Sequence, residues 1–346
     1  VERFMRHYFL IAKEVGDLTR SICSILEERQ KKSVPVISRA ISYIYAKKLD
    51  GFTVTSGRIN VPNDGFFKED PLNILKLFNL SSEQGLFIHP NAIKVLRQSI
   101  GLVNKALRED KEANNLFLKI LLSEKNAEST LRVMNETGVL GRFILDFGKI
   151  VGLMQFNMYH HFTADEHLLR AIGELNKLFY SIRSNVPELI RDLIGQGLNK
   201  KILTIALFFH DIAKGRDEDH SEVGALIVNR FSKRFSLTDY EVETISWLVR
   251  EHLVMSDFSQ TRDIMDQKTI KDFSSIVQTP ERLKLLLILT IADITAVGPD
   301  VWSAYKGQLL EQLYKETYTY LAGDILGNDR EARVKGRIEK LFSETT

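Results

Sequence analysis

The stretch ILTIALFFHDIAKG, residues 202–215, decides how the rest of the chain is read. Ile202 to Phe209 is apolar apart from Thr204, and a His-Asp pair follows at once, with Gly215 to stop the helix. A helix that is apolar all round is buried on every side, so His210 and Asp211 arrive in the interior. An ionised carboxylate there costs several kcal/mol unless it is paired. A bound cation is the simplest compensation, although a hydrogen-bonded His-Asp core pair explains the dipeptide alone equally well.

Four more residues carry the argument outward. His167 follows Asp165-Glu166 at the start of a helix whose apolar positions are Leu168, Leu169, Ile172, Leu175 and Leu178. His220 opens another helix, with Val223, Leu226, Ile227 and Phe231 facing inward. His252 closes a helix that starts at the capping-box pattern Thr238-x-x-Glu241. Asp293 ends the apolar run LLLILTIA, residues 285–292, where an unpaired carboxylate is expensive. Singly, each histidine fits a helix end. Together, four imidazoles and two carboxylates exceed the needs of one tetrahedral ion. They could hold one or two divalent ions (Mn, Mg, Fe or Zn), and two-ion clamps cleave phosphoesters.

The bulk numbers set bounds. The chain has 346 residues, room for two domains, and a 44% hydrophobic fraction, ample for a core. Lys+Arg 47 against Asp+Glu 45 demands neither nucleic acid nor a membrane surface as partner. The single cysteine, Cys23, excludes an internal disulfide framework and fits a reducing cytoplasm. No signal-peptide pattern opens the chain, and its longest apolar run is far short of a membrane span.

Periodicity predicts an all-α chain with one short hairpin. Phe4, Tyr8, Ile11, Val15, Leu18, Ile22, Ile25 and Leu26 mark one face of a long helix over 1–28. GFTVTSGRINVPND, residues 51–64, reads as a hairpin turning at Ser56-Gly57. Helix starts are predicted at Asp70-Pro71, Ser81-x-x-Gln84 and Pro90-Asn91, with three or four short helices from 90 to 145. The glycines at 138, 141, 148 and 152 mark a domain boundary. The expected division is a helical region over 1–145, a catalytic bundle over 146–325 and a charged C-terminal linker helix over 326–346.

The order His167, His210-Asp211, Asp293 resembles the H…HD…D pattern of the HD superfamily of phosphohydrolases, and His220 and His252 match the added histidines of its two-metal members. The implied fold is an all-α bundle around the metal site. The words FGKIVGLMQFNMYHHFTADEHLLRAI and LFFHDIAKGRDEDHSEVGA further resemble the family of bacterial PII uridylyltransferase/uridylyl-removing enzymes. VERFMRHYFLIAKEVGDLTR is similar to that family's interdomain helical region. FFKEDPLNILKLFNLSSEQGLFIHPNAI is similar to the helices that follow the catalytic head in poly(A) polymerases and CCA-adding enzymes. The resemblance covers nearly the whole chain. The family's D-x-D nucleotidyltransferase head and its glutamine-sensing ACT domains are not found here. The expectation is a central piece that neither uridylylates nor responds to glutamine.

The resemblance implies hydrolysis of the phosphodiester joining UMP to a tyrosine of the PII signalling protein, releasing UMP. It implies one ion at His167, His210, Asp211 and Asp293, and another at His220 and His252 with Asp211 bridging. Lys214, one turn after Asp211, is the expected phosphate-contacting cation, and Arg170 a second. Lys306 and Trp302 could line the mouth or simply pack, and His160 could support the ligands. His7 and His89 are read as structural, and Asp217-Glu218-Asp219 as a solvated loop. Two rival readings remain at this point: hydrolysis of a small nucleotide, and a non-catalytic module that binds PII or a nucleotide.

Overall fold

The computed structural model describes residues 2–30, 49–154, 162–180, 187–299 and 301–343. Among these the chain is helical apart from one two-stranded sheet, as the periodicity predicts.

Helix α1 (Glu2–Gln30) is the expected long helix. Its apolar stripe stays open to solvent: Phe4 is 70% exposed, and Tyr8, Val15 and Leu18 are more than half exposed. Arg6 ties the helix down by donating to the Lys149 carbonyl at 3.0 Å, and Leu10 lies against Gly152. The hairpin forms where predicted, from β1 (Thr53–Thr55) and β2 (Arg58–Asn60), with Val54 opposite Ile59. Ser56 and Gly57 both have positive φ, 52° and 76°, as the commonest two-residue hairpin turns require.

Eight short helices follow: α2 (Phe66–Glu69), α3 (Asn73–Gln84), α4 (Pro90–Gln98), α5 (Lys105–Glu109), α6 (Lys111–Leu121), α7 (Ala127–Glu136), α8 (Val139–Phe143) and α9 (Leu145–Ile150). The stretch 90–145 is thus more finely divided than expected. Asn104 and Asp110 explain part of this, because each accepts from the backbone N–H three residues on and starts a new helix. Ser81-x-x-Gln84 is no helix start. It lies at the end of α3, where the Ser81 hydroxyl donates to the Leu86 carbonyl and Gly85 takes up a left-handed C-cap. Pro71 sits in the turn before α3 rather than within its first turn.

The glycine-rich stretch 138–152 is packed. Helices α8 and α9 cross so closely at Gly141 and Gly148 that a Cβ on Gly148 would stand 2.6 Å from the Gly141 carbonyl oxygen. The buried core continues across this point, from Leu49 to Leu321.

The second half comprises α10 (Ala164–Tyr180), α11 (Glu188–Gly195), α12 (Lys200–Phe209), α13 (His220–Phe231), α14 (Asp239–Arg250), α15 (Val254–Thr261), α16 (Gln267–Val277), α17 (Pro280–Val297) and α18 (Ala304–Ser343). Helices α10, α12 and α17 pack on one another, and α12 also packs on α14. Every residue from Ile202 to Phe209 is buried, which is why α12 has no polar face. Phe208 packs on Phe147, with rings stacked 5.7 Å apart, and on Phe117 at 5.8 Å. The first half therefore covers one side of the helix that delivers His210 and Asp211. Such aromatic pairs add about 0.5–1.5 kcal/mol beyond burial.

Two details differ from expectation. Leu226 on α13 points outward at 62% exposure, and Val228 takes the inward place beside Ile227. The charged C-terminal segment is not a separate helix but the end of the 40-residue α18. No helix among the described residues is long and apolar enough to cross a membrane.

Candidate metal centre

Each candidate ligand sits at a helix end or on a buried helix face. His167 lies in the first turn of α10, where Asp165 and Glu166 suit the positive end of the helix dipole. His210 caps the C-terminus of α12, and a turn carries the chain through Asp211 to Gly215. Gly215 has φ of 77° and lies under Leu153, whose Cδ2 would be 2.7 Å from any Cβ there. His220 begins α13, capped by the Asp219 carboxylate, which accepts from the Ser221 and Glu222 amides. His252 follows α14, which opens with the predicted capping box. Asp293 projects from α17.

These six side chains converge. His167 Nε2 is 2.9 Å from Asp293 Oδ1, 3.3 Å from His210 Nε2 and 3.5 Å from Asp211 Oδ2. His210 Nε2 is 3.4 Å from Asp211 Oδ2 and 3.3 Å from Asp293 Oδ1. On the other side, Asp211 Oδ1 is 3.6 Å from His220 Nε2 and 3.7 Å from His252 Nε2. The two oxygens of one carboxylate thus face two different groups of rings. His167, His210 and Asp211 form one cluster of metal-capable atoms, and Asp211, His220 and His252 form another.

The rings are aimed as ligands. His210 Nδ1 lies 2.8 Å from the Leu207 carbonyl, and His252 Nδ1 lies 2.8 Å from the Val249 carbonyl. A carbonyl accepts only, so each Nδ1 carries the proton and each Nε2 turns its lone pair to the centre. His220 Nε2, His252 Nε2 and Asp211 Oδ1 are buried with no hydrogen-bond partner among the described residues. Each such atom costs about 1–3 kcal/mol. One cation within reach of all three removes that cost, so the donor set fits a divalent ion.

Charge is distributed to match. Burial opposes a proton on His210, but the carboxylates of Asp211 and Asp293 outweigh it and raise its pKa to about 9. Burial also opposes ionisation of Asp211 and Asp293, yet the surrounding histidines, with Lys214 for Asp211, hold both below the usual carboxylate range. Burial, reinforced by the nearby His210 charge, lowers His252 to about 4, and burial lowers His220 as well.

The remaining sequence candidates are distributed as follows. Lys214 Nζ lies 2.5 Å from Asp211 Oδ2, at the centre itself. The Arg170 guanidinium stacks over the Phe162 ring at 4.0 Å. Lys306 donates to the Val301 carbonyl and Trp302 packs on Gly307, so both serve the start of α18. His89 caps α4, its Nδ1 accepting from the Asn91 amide, and His7 is exposed. Asp217 and Glu218 are exposed as expected, whereas Asp219 is a helix cap. His160 lies outside the described residues.

Three supporting residues escaped the sequence reading. Buried Asp165 accepts from the Asn135 side chain at 2.7 Å and from the Gly152 amide at 3.0 Å. Buried Asp146 accepts from Arg216 at 2.7 Å, in the loop between Asp211 and His220. No local pattern announces a contact across 30 or 70 positions.

Two stretches of the chain match known family models. Residues 52–143 match the uridylyltransferase GlnD third domain, and residues 157–298 match the HD domain. All six converging residues fall within the second match. The chain is thus similar to the GlnD uridylyltransferases over its third-domain stretch and to the HD domain over the second, which suggests a metal-dependent phosphohydrolase.

Proposed function

We propose that this chain removes UMP from a uridylylated tyrosine of the PII signalling protein by metal-dependent hydrolysis of the phosphodiester. The observation that supports a two-ion centre most directly is the Asp211 carboxylate, with Oδ2 toward His167 and His210 and Oδ1 toward His220 and His252. The choice of substrate rests on the family match to a uridylyltransferase. In this reading His167, His210, Asp211 and Asp293 hold one ion, and His220 and His252, with Asp211 shared, hold the other. Bound there, divalent ions supply Lewis acidity toward water and phosphate.

The chain's own groups do the rest. The Leu207 and Val249 carbonyls keep His210 and His252 in the ligand tautomer. Lys214, on the turn that carries Asp211, is placed to turn from the carboxylate to a phosphate oxygen. Arg170, whose guanidinium stacks on the Phe162 ring, is the second cation of this reading. The leaving group is a tyrosinate with a pKa of about 10, so the reaction needs little help from a general acid.

The test is UMP release from uridylylated PII in the presence of Mn²⁺, with the His210→Ala/Asp211→Ala protein as blank. Release that vanishes in the blank supports both site and substrate. Metal uptake with no release from uridylylated PII, but turnover of a dNTP or a guanosine polyphosphate, replaces the substrate and keeps the site.

A further inference from the structure

We propose that Arg132 and Asn135 are positioning residues for the metal centre, holding His167 in place from a helix outside the HD match. Both lie on α7, within the third-domain match. This inference rests on the reading of the His and Asp cluster as a metal site.

The contacts converge on one helical turn. Arg132 donates from Nη2 to Glu166 Oε1 at 2.5 Å and from Nε to Glu166 Oε2 at 3.4 Å, the two-pronged geometry that fixes a carboxylate in direction as well as distance. Glu128, on α7 itself, accepts a further bond from Arg132 Nη2 at 2.9 Å. Asn135 donates to Asp165 Oδ2 at 2.7 Å, and the other Asp165 oxygen is taken by the Gly152 amide. Asp165 is only 4% exposed. Asp165, Glu166 and His167 are consecutive, so both acidic side chains immediately before the ligand are locked to α7. Further along, a Cβ on Gly173 would overlap the Glu128 carboxylate, and Asn176 donates to the Ser123 carbonyl at 3.1 Å.

The rings of His210 and His252 are aligned by carbonyls of their own turn, three residues back. A metal ligand must be held to a fraction of an ångström, and the turn that carries His167 is tied to α7 through Glu166 and Asp165. Arg132 and Asn135 supply that restraint.

The experiment is a double-mutant cycle on the full chain, read by calorimetric titration with Mn²⁺. Arg132→Met should weaken binding about 10-fold in the chain that has His167, the usual loss when an outer partner of a ligand is removed. It should have little further effect in His167→Ala, which retains the other five residues of the cluster. Equal weakening in both backgrounds shows a general loosening of the fold and overturns the proposal, as does unchanged affinity. The charge-swapped protein Arg132→Glu/Glu166→Arg keeps the test open if Arg132→Met fails to fold, and it should recover most of the affinity. Wild-type protein that takes up no Mn²⁺ overturns this inference together with the metal-site reading. Normal wild-type uptake without coupling overturns this inference alone.

Discussion

Lys214 Nζ reaches Asp211 Oδ2 at 2.5 Å, the same oxygen that the rings of His167 and His210 face. Lysine and a divalent ion therefore compete for one oxygen. Lys214→Met removes the competitor and, in the proposed mechanism, the phosphate contact. The expected result is tighter Mn²⁺ binding by a few-fold and slower UMP release by about 10²-fold. Calorimetry and a single-turnover assay read the two quantities separately. Weaker metal binding in the variant would show that the lysine supports the carboxylate rather than contesting it.

The metal-free protein should be most stable near the ordinary histidine pKa of 6.5. His210 is raised to about 9 in the fold, so its contribution is complete below pH 6.5 and disappears as pH rises toward 9. His252 is lowered to about 4, so its contribution is present above pH 6.5 and disappears as pH falls toward 4. Each limb is worth about 3 kcal/mol at most. Thermal melting in chelator from about pH 5 to about pH 9.5 should give a dome. Added Mn²⁺ should flatten its alkaline side, because the ligand form of His210 is neutral at Nε2. A flat profile in chelator would refute the assignment.

Gly148→Ala should destabilise the fold by about 1–3 kcal/mol, because its Cβ meets backbone rather than a movable side chain. Chemical denaturation reads the loss. A change below about 0.5 kcal/mol would mean that the α8–α9 crossing opens easily, as an interdomain linker would.

Asp146→Asn keeps the shape of the side chain and removes the charge that Arg216 meets at 2.7 Å. Arg216 is partly exposed, so the expected cost is about 1–3 kcal/mol, less than for a fully buried pair. The loop from Gly215 to Asp219 should loosen with it, seen as faster amide exchange at Arg216 and Asp217. Unchanged exchange would place the anchoring elsewhere.

The metal cluster was legible in the sequence because its residues contradict their surroundings. Asp293 within an apolar helix and a His-Asp pair at the end of another are conflicts that only a partner resolves, and the conflict is local. The hairpin at Ser56-Gly57 and the capping box at Thr238 are local as well. What escaped depends on the third dimension. A periodic stripe announces a face but not its cover, so the open stripe of α1 and the outward Leu226 could not be foreseen. Gly141 and Gly148 mark a boundary in the sequence, and their use for close approach shows only in three dimensions. Ser81 carries the chemistry of a start but spends its hydroxyl on closing a helix end. The partners Asn135 and Asp165 become neighbours only when α7 lies along α10.

The carbonyls of Leu207 and Val249 have a consequence for how such a centre can change over time. Each orients a ring from within a single turn, so that this part of the orientation travels with a four-residue word. Half of the imidazoles are in this sense self-aligned. The turn of His167, by contrast, is tied through Asp165 and Glu166 to α7, so a change in that helix is passed directly to a ligand.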